Sequence, residues 1–236
     1  MERPPKRLVA GFQDLPTTAL AELLALDSVM RHVIRPLWTP MPRVAGPAYT
    51  VRTVKHDTLM LHAAIYHAEP GDVIVVQAGD DRMAVAGGNV CAVAQRRGVI
   101  GFVIDGVIRD VAEARGRGFP VFARGVSPIP AGQDGPGEIG GPITCGGVRV
   151  DPGDVVVADE DGIVVVARAR AETVLKTPGP RRPGTRRRAS RIGSASTARG
   201  WRTPCARTAI SARSRSRGPS CRPRRPSPPR APARCG

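Results

Sequence analysis

The sequence predicts an α/β fold, a single domain with a mixed sheet, and three observations lead there. Between residues 58 and 123 apolar strands alternate with helical stretches, the pattern of parallel pairing with right-handed crossovers. From residue 148 to 166 short valine-rich strands follow one another through tight turns, the pattern of antiparallel pairing. Beyond residue 176 neither pattern continues.

Residues 19–30 read as a short helix with Thr17 or Thr18 as its cap. Residues 36–42 are extended and proline-punctuated, and 44–54 alternate in the manner of a strand. Residues 58–67 carry apolar side chains at helical spacing, with Asp57 well placed to cap them. Pro70-Gly71-Asp72 turns the chain into a buried strand, 73–76. Residues 85–97 are alanine-rich and helical, and Gly98 sits where a C-terminal cap belongs. A strand at 99–104 ends at Asp105-Gly106, followed by a short helix, 110–116, and a strand, 120–123. After a glycine-rich stretch, 132–141, strands are expected at 148–150, 154–158 and 162–166, and a helix begins near Ala169. Pro-Gly-Asp occurs at 70–72 and again at 152–154, but two turn signals do not establish a repeat.

The chain carries a formal charge of +16 over 236 residues, which on its own suggests a nucleic-acid binder. Its distribution changes that reading. Of the 36 basic side chains, 17 lie in residues 177–236, where there is no Asp or Glu, so residues 1–176 hold 19 basic against 20 acidic groups. The body is near neutral, and few aromatic residues interleave its basic ones, which disfavours nucleic-acid recognition there. The tail, with ten prolines and few large apolar residues, is expected to be disordered. Its Arg/Pro/Ser vocabulary suits an out-of-frame translation of a GC-rich gene; a genuine tail would be an RNA-binding or membrane-surface arm. Cys91 and Cys145 lack metal-ligand spacing and read as buried free thiols of a reducing compartment. With no apolar run approaching 18 residues and no leader pattern, the body is expected to be soluble and cytoplasmic.

The chemistry concentrates in residues 87–113. Gly87-Gly88-Asn89-Val90 opens one helix, and 20 residues separate Gly88 from Arg109. Arg109 and Asp110 follow a strand and open the next helix, where open α/β sheets place their ligands. Amides at a helix start suit a carboxylate, a guanidinium binds it in bidentate fashion, and an aspartate offers a hard oxygen to Mg²⁺. A plainer reading exists: Asp110-x-x-Glu113 is also a helix capping box, and Gly-Gly can be a mere loop.

The strings PGDVIVVQAG, AGGNVCAVAQRRGVIGFVIDGVIRDVAE, FPVFARGVSP and GGVRVDPGDVVVADEDGIVVV resemble the RraA-like family across roughly residues 20–175. That family includes 4-hydroxy-4-methyl-2-oxoglutarate aldolases with oxaloacetate decarboxylase activity, and regulators of ribonuclease E. Its G-x20-R-D-x2-E/D pattern fits Gly88, Arg109, Asp110 and Glu113. The resemblance implies a swivelling β/β/α fold, a homotrimer or hexamer, and a site between subunits. It further implies that the backbone of Gly87, Gly88, Asn89 and Val90 holds the substrate carboxylate and that Arg109 contacts the 2-oxo group. Asp110 would hold Mg²⁺ or Mn²⁺, with Glu113 as outer support. Aldolases of this group continue into a C-terminal segment whose acidic residue serves a neighbouring subunit; here the acid-free tail stands in its place.

The leading expectation is therefore a metal-dependent lyase that releases pyruvate from a 2-oxo acid. A non-catalytic protein of the same fold that inhibits a ribonuclease is the alternative. A methyltransferase lacks support, since no G-x-G-x-x-G follows a strand. His56, His62 and His67 are set aside as satisfied or exposed, because a five-residue spacing suits no shared helix face. Gly79-Asp80-Asp81 reads as a solvated turn, and Asp57 as a cap that could border the site.

Overall fold

A computed structural model describes residues 1–177. The core is a nine-stranded mixed sheet. Four strands run parallel at its centre: β2 (Val44–Thr53), β3 (Val73–Gln77), β5 (Gly101–Ile108) and β6 (Val121–Val126). Their crossovers are α3 (Leu59–His67), α4 (Gly88–Arg96) and α5 (Val111–Gly116). Val73, Ile74, Val75 and Val76 of β3 are fully buried, the composition of a strand covered on both faces.

Antiparallel strands β10 (Val155–Asp159) and β11 (Gly162–Val166) extend the sheet beyond β2, as the sequence pattern requires. The two-residue β1 (Arg35–Pro36) closes the other edge against β6, and β7 (Gly137–Ile139) pairs with the far end of β2. A separate hairpin, β8 (Ile143–Cys145) with β9 (Val148–Val150), packs on β3. The chain begins with α1 (Lys6–Ala10) and α2 (Thr17–Leu23), and ends in α6 (Ala171–Lys176). The mixed α/β domain expected from the sequence is present. The expected disorder of 177–236 falls, from residue 178 onward, outside the described residues.

Several expectations need correction. The first predicted helix, 19–30, ends at Leu23; Leu24 is extended, and a 3-10 turn at Leu26–Ser28 follows. Thr17 is not its cap but its first residue, with its hydroxyl and N–H both donated to buried Asp159. Residues 85 and 86 are strand rather than helix: β4 (Ala84–Ala86) lies parallel to the end of β5, and the glycine pair then breaks the strand before α4. β5 does not stop at Asp105-Gly106 but continues to Ile108 through a bulge between Ile104 and Val107. The bulge re-aims the strand and carries Arg109 and Asp110 to the sheet's end. α1, β7 and β8 were not anticipated, being too short for periodicity to register.

Cys91 and Cys145 are buried and free. Burial pushes the Cys91 thiol up to about 12 and raises that of Cys145 well above its ordinary value, so both stay protonated and inert. No helix among the described residues is long and apolar enough to cross a membrane.

Candidate functional site

The site forms where β4 and β5 end. The Arg109 backbone N–H donates to Ala86 O at 2.9 Å, which fixes the Arg-Asp pair beside the glycine turn. Gly87 is extended and precedes α4, which has no side-chain cap; the Cys91 N–H is the first to bond back, onto Gly87 O. The N–H groups of Asn89 and Val90 therefore lie in the unsatisfied first turn of a nine-residue helix.

Asp110 decides between the capping-box reading and a functional one. It adopts a left-handed backbone, φ 55° and ψ 39°, and makes no side-chain cap to α5. A non-glycine residue in that region carries strain of order 1 kcal/mol and persists where its surroundings hold it. Its Oδ2 instead accepts the Gly88 N–H at 3.2 Å and lies 3.5 Å from Arg109 Nε. Both side chains remain about two-fifths exposed, so the pair is open to a ligand.

The two glycines are needed for close approach. A Cβ on Gly87 would come within 2.7 Å of Asp110 Oδ2 and 3.1 Å of Arg109 Nε. On Gly88 it would meet Glu113 Cδ at 2.7 Å and collide with Oε2. Three predicted site side chains are thus packed directly onto the glycine turn. Gly87, Asn89, Val90 and Arg109 also line one cavity of about 250 Å³. The geometry brings together all seven residues singled out by sequence.

No group of three or more potential metal ligands exists among the described residues. A cation here would depend on Asp110 and water, the mode of an ion that takes few protein ligands. The residues fit one: Oδ2 is oriented by the Gly88 N–H, which leaves Oδ1 for the ion, and Glu113 lies on the same turn.

Sequence reasoning missed the opposite wall of the cavity. It is made by Thr58 and His62 of the α3 region and by Pro130, Ala131 and Gln133 of the loop after β6. The loop is tied to β4 by Ala84 N–H to Ile129 O (2.7 Å) and Ala131 N–H to Ala84 O (3.1 Å). It is tied to the start of α3 by buried Asp57. That carboxylate accepts the N–H groups of Leu59 (2.8 Å), Asp134 (2.9 Å) and Gly135 (2.8 Å). Burial alone would raise the Asp57 pKa, but these bonds, with a smaller contribution from His62, bring it below its ordinary value. The N-cap of α3 is Thr58, one residue later than the cap expected at Asp57; the Asp57 carboxylate satisfies the first helical N–H, that of Leu59, and clamps the cavity wall. No local signal marks the loop; only its tertiary bonds bring it here.

Asp80 departs from the solvated turn expected of it. Its side chain is 11% exposed, and Oδ1 accepts the N–H groups of Asp81 and Arg82. His56 Nε2 stands 2.8 Å from Oδ2, outside hydrogen-bonding geometry. Asp80 lines a second cavity of about 450 Å³ with Lys55, Gln77, Asp105 and Arg124. There Arg124 is paired with Asp105, whose other oxygen accepts the Gly146 N–H. Burial lowers the His62 imidazole pKa, with Asp57 opposing.

The model of the RraA-like family (Aldolase/RraA) matches residues 17–165. A protein of Halalkalibacterium halodurans named "Putative 4-hydroxy-4-methyl-2-oxoglutarate aldolase" is 40% identical over 169 residues, covering 71% of this chain and 80% of that one. The structure of Streptomyces coelicolor RraAS2, described as an unusual member of the RNase ES inhibitor RraA family, superposes with TM-score 0.64 at 33% identity. It covers 73% of this chain and 91% of its own. A Geobacillus kaustophilus structure titled as an S-adenosylmethionine:2-dimethylmenaquinone methyltransferase gives TM-score 0.59 at 33% identity, covering 65% and 95%. One fold here carries three activity names, so activity has to be argued from the site. The chain belongs to the RraA-like family.

Proposed function

We propose that the protein is a divalent-metal-dependent lyase that cleaves a C–C bond of a small 2-oxo acid and releases pyruvate. The substrates in view are 4-hydroxy-4-methyl-2-oxoglutarate, by retro-aldol cleavage, and oxaloacetate, by decarboxylation. The observation that carries the reading is Asp110, held left-handed and uncapped beside Arg109 and the Gly88 N–H. An inhibitor of another protein has no use for a strained carboxylate paired this way. The aldolase name of the relative from Halalkalibacterium halodurans supports the same class.

In this reading the free N–H groups of Asn89 and Val90, with the dipole of α4, bind the substrate's 1-carboxylate. Arg109 donates to the 2-oxo oxygen and stabilises the enolate that develops as the bond breaks. Asp110 holds Mg²⁺ or Mn²⁺, and Glu113 supports it from the adjacent turn. When bound, the ion supplies positive charge against the same developing oxyanion. Val126 and Ile129, both about half exposed beside the cavity wall, provide apolar surface for a second subunit of a homotrimer or hexamer.

The test is pyruvate release from both substrates by the full chain, with Mg²⁺ or Mn²⁺ and with a chelator. Metal-dependent release, abolished by Asp110→Ala, is expected; full retention by Asp110→Ala refutes the assignment. The likeness to RraAS2 favours a second reading, inhibition of a ribonuclease. That reading expects silence toward both substrates and ribonuclease inhibition unchanged by Asp110→Ala.

A further inference from the structure

The cavity at Gly87 and Arg109 is continuous with a narrower groove of about 100 Å³ between α3 and α4, because His62, Asn89 and Val90 line both. The groove is otherwise walled by Ile65, Tyr66 and Val93. His62 is partly buried and lines both spaces, the first of them together with Arg109. Among the residues lining the two spaces, the ionisable groups are His62, Arg109 and Tyr66. Of the three, the imidazole is the side chain whose chemistry suits proton exchange near neutrality.

We propose that His62 is the proton-transfer residue for the aldol half of the chemistry, an inference that rests on the lyase reading above. As C3–C4 of the 4-hydroxy-2-oxo acid breaks, its electron pair passes into the pyruvate enolate. The proton of the C4 hydroxyl goes to His62, and the departing half leaves as a carbonyl compound. The imidazolium then returns that proton to C3, giving the methyl group of pyruvate. Atoms and charge balance with no external acid or base.

The surroundings suit the role. Burial holds the imidazole below its ordinary value and so neutral at pH 7, ready to accept a proton. Asp57, at the start of the same helix, favours the protonated form that follows, while Arg109 across the cavity carries positive charge. The remaining polar lining groups, Thr58, Asn89 and Gln133, are neutral. Because Asp57 also clamps the loop bearing Gln133, it is a positioning residue for this wall.

Oxaloacetate separates this role from general damage. Its decarboxylation has no hydroxyl to deprotonate and needs only a proton at C3, which water can supply. His62→Gln is therefore expected to lower kcat for retro-aldol cleavage about 100-fold while oxaloacetate decarboxylation changes by no more than a few-fold. The acidic limb of the aldol pH profile should disappear with it. Equal loss in both reactions, or loss in neither, overturns the proposal. Wild-type protein that decarboxylates but never cleaves the aldol overturns it alone, whereas wild-type protein silent on both overturns the lyase reading as well. Independently of turnover, the His62 ring proton signal, assigned by its loss in His62→Gln, should titrate below the ordinary histidine range. It should also shift when pyruvate and Mg²⁺ are added; an unmoved signal contradicts contact with the substrate.

Discussion

Asp57 precedes α3 and Asp110 precedes α5, and each stands where a helix start favours an acidic cap. The first is 4% exposed and spends its carboxylate on three backbone N–H groups, one from the helix and two from a loop 77 and 78 residues away. The second is exposed, makes no cap to the helix it precedes, and adopts a strained backbone to meet an arginine and the N–H of Gly88 at the start of α4. One aspartate is spent on architecture and the other is withheld from it. The contrast teaches that a capping signature states what a carboxylate can do locally, while tertiary neighbours decide whether it does.

The comparison can be broken most sharply at Asp110. Asp110→Gly should cost at least about 100-fold in pyruvate release, through loss of the carboxylate proposed to hold the metal. The same change should leave stability intact or raise it by about 0.5–1 kcal/mol, because glycine accepts the left-handed backbone without strain. Thermal unfolding measured beside activity checks both; a fall in stability would make Asp110 structural after all. Gly88→Ala should lower activity by roughly 100-fold, since the new Cβ displaces Glu113 from the turn. Unchanged activity would show that this close approach is incidental.

Asp57→Ala should invert the pattern. Three part-buried N–H groups lose their acceptor, at up to about 1–3 kcal/mol each before relaxation, so a loss of roughly 3 kcal/mol is expected. Denaturant titration measures it; a loss below about 0.5 kcal/mol would remove the clamp from the account. A smaller effect sharpens the same point through pH. The folded-state pKa of Asp57 lies below its ordinary value, so its contribution is complete above about pH 5 and fades as pH falls through 4 and below. The wild-type minus Asp57→Ala stability difference should shrink over that acid range. A difference that is flat with pH would mean the carboxylate charge is not what the N–H groups require.

Much of the fold was legible because the relevant signals are local. β3 and β10 are short valine-rich runs bounded by turn signals, which read as buried strands, and Pro70-Gly71-Asp72 and Asp151-Pro152-Gly153 are turns by their own chemistry. The spacing of Gly88 from Arg109, with Asp110 and Glu113, was likewise visible, and the structure brings these side chains onto one turn. The errors share a cause. Residues 85 and 86 look helical in composition and become strand because β5 offers them a pairing edge. Asp80 looks solvated and is instead largely covered, its carboxylate turned back onto the N–H groups of Asp81 and Arg82.

By itself, then, the sequence determined the alternation of strands and helices, the near neutrality of the body against a basic tail, and the spacing that brings Arg109, Asp110 and Glu113 to the glycine turn. These follow from side-chain periodicity, charge count and local turn chemistry. The tertiary structure alone decided that Asp110 would leave its helix uncapped, that residues 129–135 would wall the cavity, and that His62 would face it. Each of those depends on contacts between segments distant along the chain, and sequence spacing carries no record of such contacts.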